Sequence, residues 1–296
     1  MTTDARRSAV PLETLWSARG PASETPMSRG LPMPDGLSAR YGGVLEIPIR
    51  PARPTLLVNF VSTIDGVVAL GSGEEAGGGV ISGFSEPDRF VMALLRAVAD
   101  VLLVGARTIA GSSSTDWTAE HLQPDLASAI RQWRHDLGLA PRPTTVIVTG
   151  SGDVRLGRRG VDDPDLPVIF ATTPSGERRL LERGLPAHVS VEVVGSSDRI
   201  SPEELAAFLA RDRDKVVLTE GGPHLLGDLV AADLVDEIFL TLAPQVIGRD
   251  GDRLGLAEGV GLAPDHARWH ELASVKRAGD HLFLRYRRAS RGIPPT

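Results

Sequence analysis

Four stretches of this 296-residue sequence carry residue types that could do chemistry, and each follows a β-branched run. The first is Val216-Val217-Leu218-Thr219-Glu220-Gly221-Gly222-Pro223-His224-Leu225-Leu226. A strand running into two glycines, with proline opening a helix, presents backbone N–H groups at the positive end of the helix dipole. That suits an anion such as a pyrophosphate, with a plain strand-to-helix turn as the alternative. Glu220 is poorly placed for phosphate but well placed to accept from the N–H groups of a heterocycle. The second stretch is Val104-Gly105-Ala106-Arg107-Thr108, where a cation and a hydroxyl after a strand-ending glycine could hold phosphate or ribose oxygens. The third, Ser62-Thr63-Ile64-Asp65-Gly66, puts a carboxylate at another strand end, although Asp-Gly is usually a turn signal, which favours a structural role for Asp65. The fourth is Val148-Thr149-Gly150-Ser151 with Arg155 beyond it, either an adenosine 2′-phosphate site or a polar turn.

The elements that must position these loops alternate. Strand patterns fall at 55–61, 101–104, 144–149, 168–172, 189–194, 215–220, 236–243, 268–276 and 281–287. Helical patterns fall between them at 85–99, 125–137, 176–183, 202–211 and 223–232. Ser201-Pro202-Glu203-Glu204 is a helix start with a capping hydroxyl, proline in the first turn and acids facing the dipole. The alternation predicts an α/β fold with a doubly wound, mainly parallel sheet, its last three strands adding as an antiparallel C-terminal edge. In such a sheet ligands gather beyond the carboxyl ends of the strands, which is where all four stretches lie. Residues 51–290 read as one domain. Residues 1–50, rich in proline, read as a largely irregular extension, mobile or loosely wrapped, and 291–296 as a tail. The glycines of 70–83 imply a mobile flap or close packing on a ligand.

Composition removes other chemistries. Without cysteine there is no disulfide scaffold, thiolate zinc site or cysteine nucleophile. The 32 basic and 38 acidic side chains leave a net charge of −6, which argues against a nucleic-acid partner that needs a strongly basic face. No run of about 18 apolar residues suggests a membrane span, and no secretory leader is recognisable, so the expectation is a cytoplasmic protein. The seven histidines are scattered without an H-E-x-x-H pattern, so no metal site is expected.

Taken together, STIDG (62–66), SEPDRFVMALLRAVADVLLVGARTI (85–109) and LTEGGPHLLGDLVAADLVDEIFLTLAPQVIG (218–248) resemble the reductase domain of the bifunctional deaminase/reductase of riboflavin biosynthesis, a relative of dihydrofolate reductase in fold. The likeness spans about residues 55–287 and is nearest the stand-alone actinobacterial branch. It implies an NADPH-dependent oxidoreductase, typically a homodimer, acting on a small pyrimidine such as 5-amino-6-(5-phosphoribosylamino)uracil. A dihydrofolate-type reductase of a pteridine, or a non-catalytic NADP-binding protein, is the alternative. Carried over by position, Gly105, Thr108, Gly150, Ser151 and Gly221 through Leu226 would contact the cofactor. Arg96 and Glu220 would face the substrate, and Asp65 would lie near the nicotinamide as a candidate proton donor. The sequence departs from the family at 110–117, where an arginine that grips a ribose phosphate has no counterpart. It departs again at 78–80, where a serine and a tryptophan are usual.

Overall fold

The computed structural model describes residues 10–18, 28–71, 78–110, 117–157 and 159–289. Ten strands form the main sheet: β1 (Glu13–Ser17), β2 (Thr55–Thr63), β3 (Val101–Gly105), β4 (Thr144–Thr149), β5 (Val168–Thr172), β6 (Val189–Val193), β7 (Val216–Thr219), β8 (Glu237–Ala243), β9 (His270–Ala278) and β10 (His281–Arg288). Their order is β1-β9-β10-β8-β2-β7-β3-β4-β5-β6. The block from β2 to β6 is parallel throughout. The principal helices are α1 (Asp35–Tyr41), α2 (Glu86–Val98), α3 (Ala127–Asp136), α4 (Pro174–Glu182), α5 (Pro202–Leu209) and α6 (Pro223–Ala231). The α/β reading holds, and every anticipated strand forms. The last three strands pair antiparallel among themselves, while β8 lies parallel to β2 because α6 carries the chain back across the sheet.

β2 is buried along its whole length, which explains its continuous apolar run: a central parallel strand is covered on both faces. Leu57, Leu102, Ile147, Leu218 and Phe239 pack toward Phe90 and Leu94 of α2 and Trp133 of α3. Leu56, Val58, Leu103 and Val217 pack toward Leu205 and Leu209 of α5 and Leu226 and Leu229 of α6. Because alternate residues face opposite sides, this parity assigns every site residue on the strands to a face. No helix among the described residues is long and apolar enough to cross a membrane.

Helix starts follow local chemistry. Ser201 and Glu204 form a capping box, each side chain accepting from the other's backbone N–H at 3.1 and 2.9 Å. Ser85 caps α2 by accepting from the Asp88 N–H. The other end of α2 is held by a buried arginine: Arg134 donates to the carbonyls of Arg96, Ala97 and Ala99 at 3.0, 2.8 and 2.8 Å. These are the carbonyls a helix leaves unpaired, and a cation there complements the dipole. Burial pulls the Arg134 pKa down only to about 10, so it remains charged at neutral pH.

The described part of the first fifty residues is not loosely wrapped. β1 pairs antiparallel with β9 and becomes the tenth strand. Leu12, Leu37, Tyr41, Leu45, Ile47 and Ile49 are buried in the same core as α2. Lys276 of β9 donates to the Thr14 hydroxyl and the Gly42 carbonyl, at 2.7 and 2.9 Å, tying the segment down. Its apolar residues lack a period long enough to read, and acquire their value only by tertiary contact. Much of the glycine-rich 70–83 segment lies outside the described residues. Within it Gly78–Ile81 forms a helical turn packed on β2, where a Cβ at Gly78 would lie 3.0 Å from Val61 Cγ1.

Candidate functional site

β7 and β3 are hydrogen-bonded parallel neighbours, so their carboxyl ends deliver Glu220–Pro223 and Gly105–Thr108 side by side. Contact between the two turns is tight. A Cβ at Gly221 would fall 2.7 Å from Val104 Cα and 2.8 Å from the Gly105 nitrogen, so only glycine fits. Gly222 has φ +58° and begins α6 without a side-chain cap. The first-turn N–H groups of α6 are therefore left for solvent or a ligand. A Cβ at Gly222 would lie 3.4 Å from Thr108 Oγ1, so that hydroxyl stands beside the helix start. The side chains of Leu225 and Leu226 belong to the core, so only their backbone is available at this turn, whereas His224 is exposed. Pro223 is fixed from behind, its carbonyl accepting from the Glu258 N–H at 3.0 Å.

Gly150 and Ser151 lie at the end of β4, one strand beyond β3. Their polar groups are largely spent on α4: the Gly150 carbonyl accepts from the Thr173 hydroxyl at 2.7 Å and the Ser151 carbonyl from Arg179 at 2.7 Å. A Cβ at Gly150 would touch the Asp198 carbonyl at 3.3 Å, which places the exposed Arg199 backbone alongside. Residues 111–116, within the stretch that departs from the family pattern, lie outside the described residues.

Arg96 and Glu220, read separately as substrate contacts, bind each other. Arg96 Nε donates to both Glu220 oxygens at 3.0 and 3.1 Å, and Nη2 to Oε2 at 2.6 Å. The side chains are 2% and 5% exposed. Nη1 donates to the Thr118 carbonyl at 3.2 Å, and the guanidinium lies 5.0 Å from the Trp117 ring. Each nitrogen of the Arg96 guanidinium thus has a partner, and Glu220 neutralises its charge.

The contacts of Asp65 fit the turn reading of Asp-Gly better than the candidate role of proton donor. Its oxygens accept from the backbone N–H groups of Gly248 at 2.7 Å and Ile247 at 3.4 Å, clamping the end of β2 to the loop after β8. The Thr63 hydroxyl and these N–H groups hold its carboxyl below the ordinary carboxylate range. An acid that stays ionised at neutral pH has no proton to give, so the geometry fits the Asp-Gly turn. A lowered pKa means the clamp stabilises the fold above the ordinary carboxylate range and is lost as pH falls through the lowered value. Asp65→Asn is expected to melt below the wild type at pH 7, with the gap closing in acid. Melting curves across that range check this; a constant gap would show that no charge is involved.

Three buried polar residues escaped sequence reasoning. Asp88 on α2 is 5% exposed and Asn59 on β2 is 6% exposed, while Thr241 on β8 is also buried. Strand parity puts Asn59 with Leu57, Thr241 with Phe239 and Glu220 with Leu218, all on the α2 face. Asn59 pairs in register with Phe239, and Val61 with Thr241, so the polar groups sit close together near the carboxyl ends. Burial pushes the Asp88 pKa up to about 6; the neighbouring Glu220 charge also raises it, against the Thr241 and Ser82 hydroxyls and His281. A signal existed: Asp88 precedes Val91 and Leu95 by three and seven residues, on the apolar stripe of its helix.

Comparison with known proteins decides the family. The sequence pattern of the RibD C-terminal domain matches residues 54–281. The chain belongs to that family. Among its curated relatives, the 2,5-diamino-6-ribosylamino-4(3H)-pyrimidinone 5′-phosphate reductase of Archaeoglobus fulgidus is 27% identical over 197 residues, 66% of this chain and 83% of that one. The reductase of the same name from Methanothermobacter thermautotrophicus is 27% identical over 237 residues, 79% and 98% of the two chains. Of solved structures, a pyrimidine reductase-like protein of Corynebacterium diphtheriae shares the fold with a TM-score of 0.61 at 20% identity, covering 80% of this chain and 93% of its own. The yeast riboflavin biosynthesis reductase Rib7 shares it with a TM-score of 0.52 at 14% identity, covering 81% and 92%. In this RibD C-terminal domain the matched span contains all the apposed turns and the buried polar face, and it leaves out β1 and α1.

Proposed function

We propose that this RibD C-terminal domain is an NADPH-dependent reductase of a ribosylaminopyrimidine 5′-phosphate. The observation that carries the reading is the pair of strand-end turns pressed together at Gly221 and Gly105, with an uncapped helix start and the Thr108 hydroxyl on one side. Gly105, Thr108, Gly221, Gly222 and the first-turn N–H groups of α6 would hold the diphosphate. Gly150 and Ser151 would meet the adenosine end, where the exposed Arg155 and Arg199 favour a 2′-phosphate and hence NADPH over NADH. The bound cofactor supplies hydride from C4 of its dihydronicotinamide. The chain's share is to align that carbon with the ribose C1′–nitrogen bond and to exclude water. Glu220, set by Arg96, offers a carboxylate to the N–H edge of the pyrimidine.

The test is NADPH oxidation with 2,5-diamino-6-ribosylamino-4(3H)-pyrimidinone 5′-phosphate, its 2-oxo counterpart 5-amino-6-(5-phosphoribosylamino)uracil, and dihydrofolate. Consumption of either ribosylaminopyrimidine supports the proposal. Turnover of dihydrofolate alone, or binding of NADPH without turnover of any of the three, overturns it. Binding has its own readout, because a ligand at a hundred times its Kd adds about 2.7 kcal/mol to stability.

A further inference from the structure

Resting on the reading of the α6 start as the cofactor turn, we propose that Glu258 is a positioning residue for NADPH. It braces the first turn of α6 from behind and so keeps the free N–H groups in register with the turn after β3. Three of the other helices are fixed at their starts by their own side chains: Ser85, Thr173 and Ser201 each accept from a first-turn N–H of α2, α4 and α5. α6 follows Gly222 and has no such cap. A cap would occupy N–H groups that an anion needs, so a helix start that serves a ligand must be held by other means.

Glu258 supplies that hold. Its N–H donates to the Pro223 carbonyl at 3.0 Å. Its own carbonyl lies against Gly227, where a Cβ would fall 2.1 Å from the oxygen and 3.1 Å from the carbonyl carbon. Pro223 and Gly227 are about one turn apart on the same face of α6, so the Glu258 peptide lies along that face and spans the first turn. Gly227 permits this approach as Gly221 permits the approach to β3. The start of α6 is thus gripped between β3 and Glu258.

The Glu258 peptide is set by its own side chain. Oε1 accepts from the Gly255 N–H at 2.6 Å, closing the turn 255–258, and from Arg249 Nη2 at 3.2 Å. A hydrogen bond from a backbone N–H to a carboxylate is among the stronger ones a turn can make. The turn ends a strap, residues 244–259, that is anchored before it reaches α6. Asp65 holds Gly248, Arg253–Leu254 pairs antiparallel with Ala69–Leu70, and the Leu254 carbonyl accepts from the Val68 N–H at 2.9 Å. What presses on α6 is therefore a segment fastened near the end of β2. Past Glu258, Gly259 stands beside the exposed His224, a Cβ there falling 3.7 Å from His224 Cδ2.

The test is Glu258→Ala with Glu258→Gln beside it, followed by NADPH titration and by NADPH oxidation with 2,5-diamino-6-ribosylamino-4(3H)-pyrimidinone 5′-phosphate. The alanine variant should raise the Kd and KM for NADPH by about tenfold, the loss of one charge-assisted hydrogen bond, with kcat at saturating NADPH unchanged. The glutamine variant keeps an oxygen for the Gly255 N–H and should restore most of the affinity. An unchanged Kd in a folded alanine variant, a glutamine variant as weak as the alanine one, or a loss confined to kcat would overturn the assignment. Should the alanine variant fail to fold, amide hydrogen exchange in the wild type decides. Coupling is reciprocal, so saturating NADPH should slow exchange at the Gly255 and Glu258 amides, and unchanged exchange there would overturn the brace. Each of these failures leaves the cofactor turn standing, because wild-type binding is measured in the same series. A wild type that binds no NADPH would overturn the turn itself, and the brace with it.

Discussion

Gly221→Ala is expected to weaken NADPH binding by about ten- to a hundredfold while the chain still folds. The added methyl has nowhere to go: it would fall 2.7 Å from Val104 Cα, 2.8 Å from the Gly105 nitrogen and 3.1 Å from Val104 Cβ. Two of these are backbone atoms of a central parallel strand that no rotamer change can move. The β7–α6 turn must therefore lift away from β3, taking the uncapped helix start and the Thr108 hydroxyl out of register. Inserting a methyl group into a packed region costs about 1–3 kcal/mol, and 1.4 kcal/mol is tenfold in affinity. Gly36→Ala is the control. It lies in α1 with nothing within 4 Å of the added Cβ, and should leave the Kd unchanged. Calorimetric titration of NADPH into both variants, beside ligand-free melting curves, separates lost affinity from lost stability. Equal affinity in Gly221→Ala would mean that the cofactor does not use this turn.

How much of this could be read from the sequence depends on the range of the interactions involved. The strands are set by their own β-branched runs, and the start of α5 by a Ser and a Glu three residues apart, so both are legible locally. The Gly-Gly-Pro turn is legible for the same reason, since a strand meeting a helix leaves its mark in adjacent residues. What fails is partnership across the chain. Arg96 and Glu220 are 124 residues apart, and nothing near either one says that the other will neutralise it. The turn at Asp65 is legible in Asp-Gly, but its clamp is not, because Gly248, 183 residues later, supplies the N–H that occupies the carboxylate. Asp88 looks like an ordinary acid in a helix's first turn, where the dipole welcomes one. Its burial, and then the Glu220 charge, give it a raised pKa, and neither is visible in the helix sequence. β1 has the same difficulty in another form: five residues without a clear alternation become a strand because β9 offers a free edge.

The second large effect concerns the Arg96–Glu220 pair, where stability and turnover should come apart. Arg96→Met leaves Glu220 buried without its cation, and losing one partner of a buried pair costs about 3–5 kcal/mol. Glu220→Leu should be costly for the mirror reason, since the guanidinium would keep only the Thr118 carbonyl and the Trp117 ring. Combining the two removes both charges and fills the space with apolar side chains, a replacement that is often neutral or stabilising. The double variant is therefore expected to recover most of the lost stability, with strong positive coupling in a double-mutant cycle. Turnover should not recover. In the reading given above, Glu220 is the acceptor that orients the pyrimidine, and mispositioning of that kind costs about a hundredfold. Denaturant unfolding and NADPH oxidation on the same four proteins make the comparison. A stable double variant that also regains wild-type turnover would show that the pair only fastens α2 to the end of β7, and that Glu220 does not orient the pyrimidine.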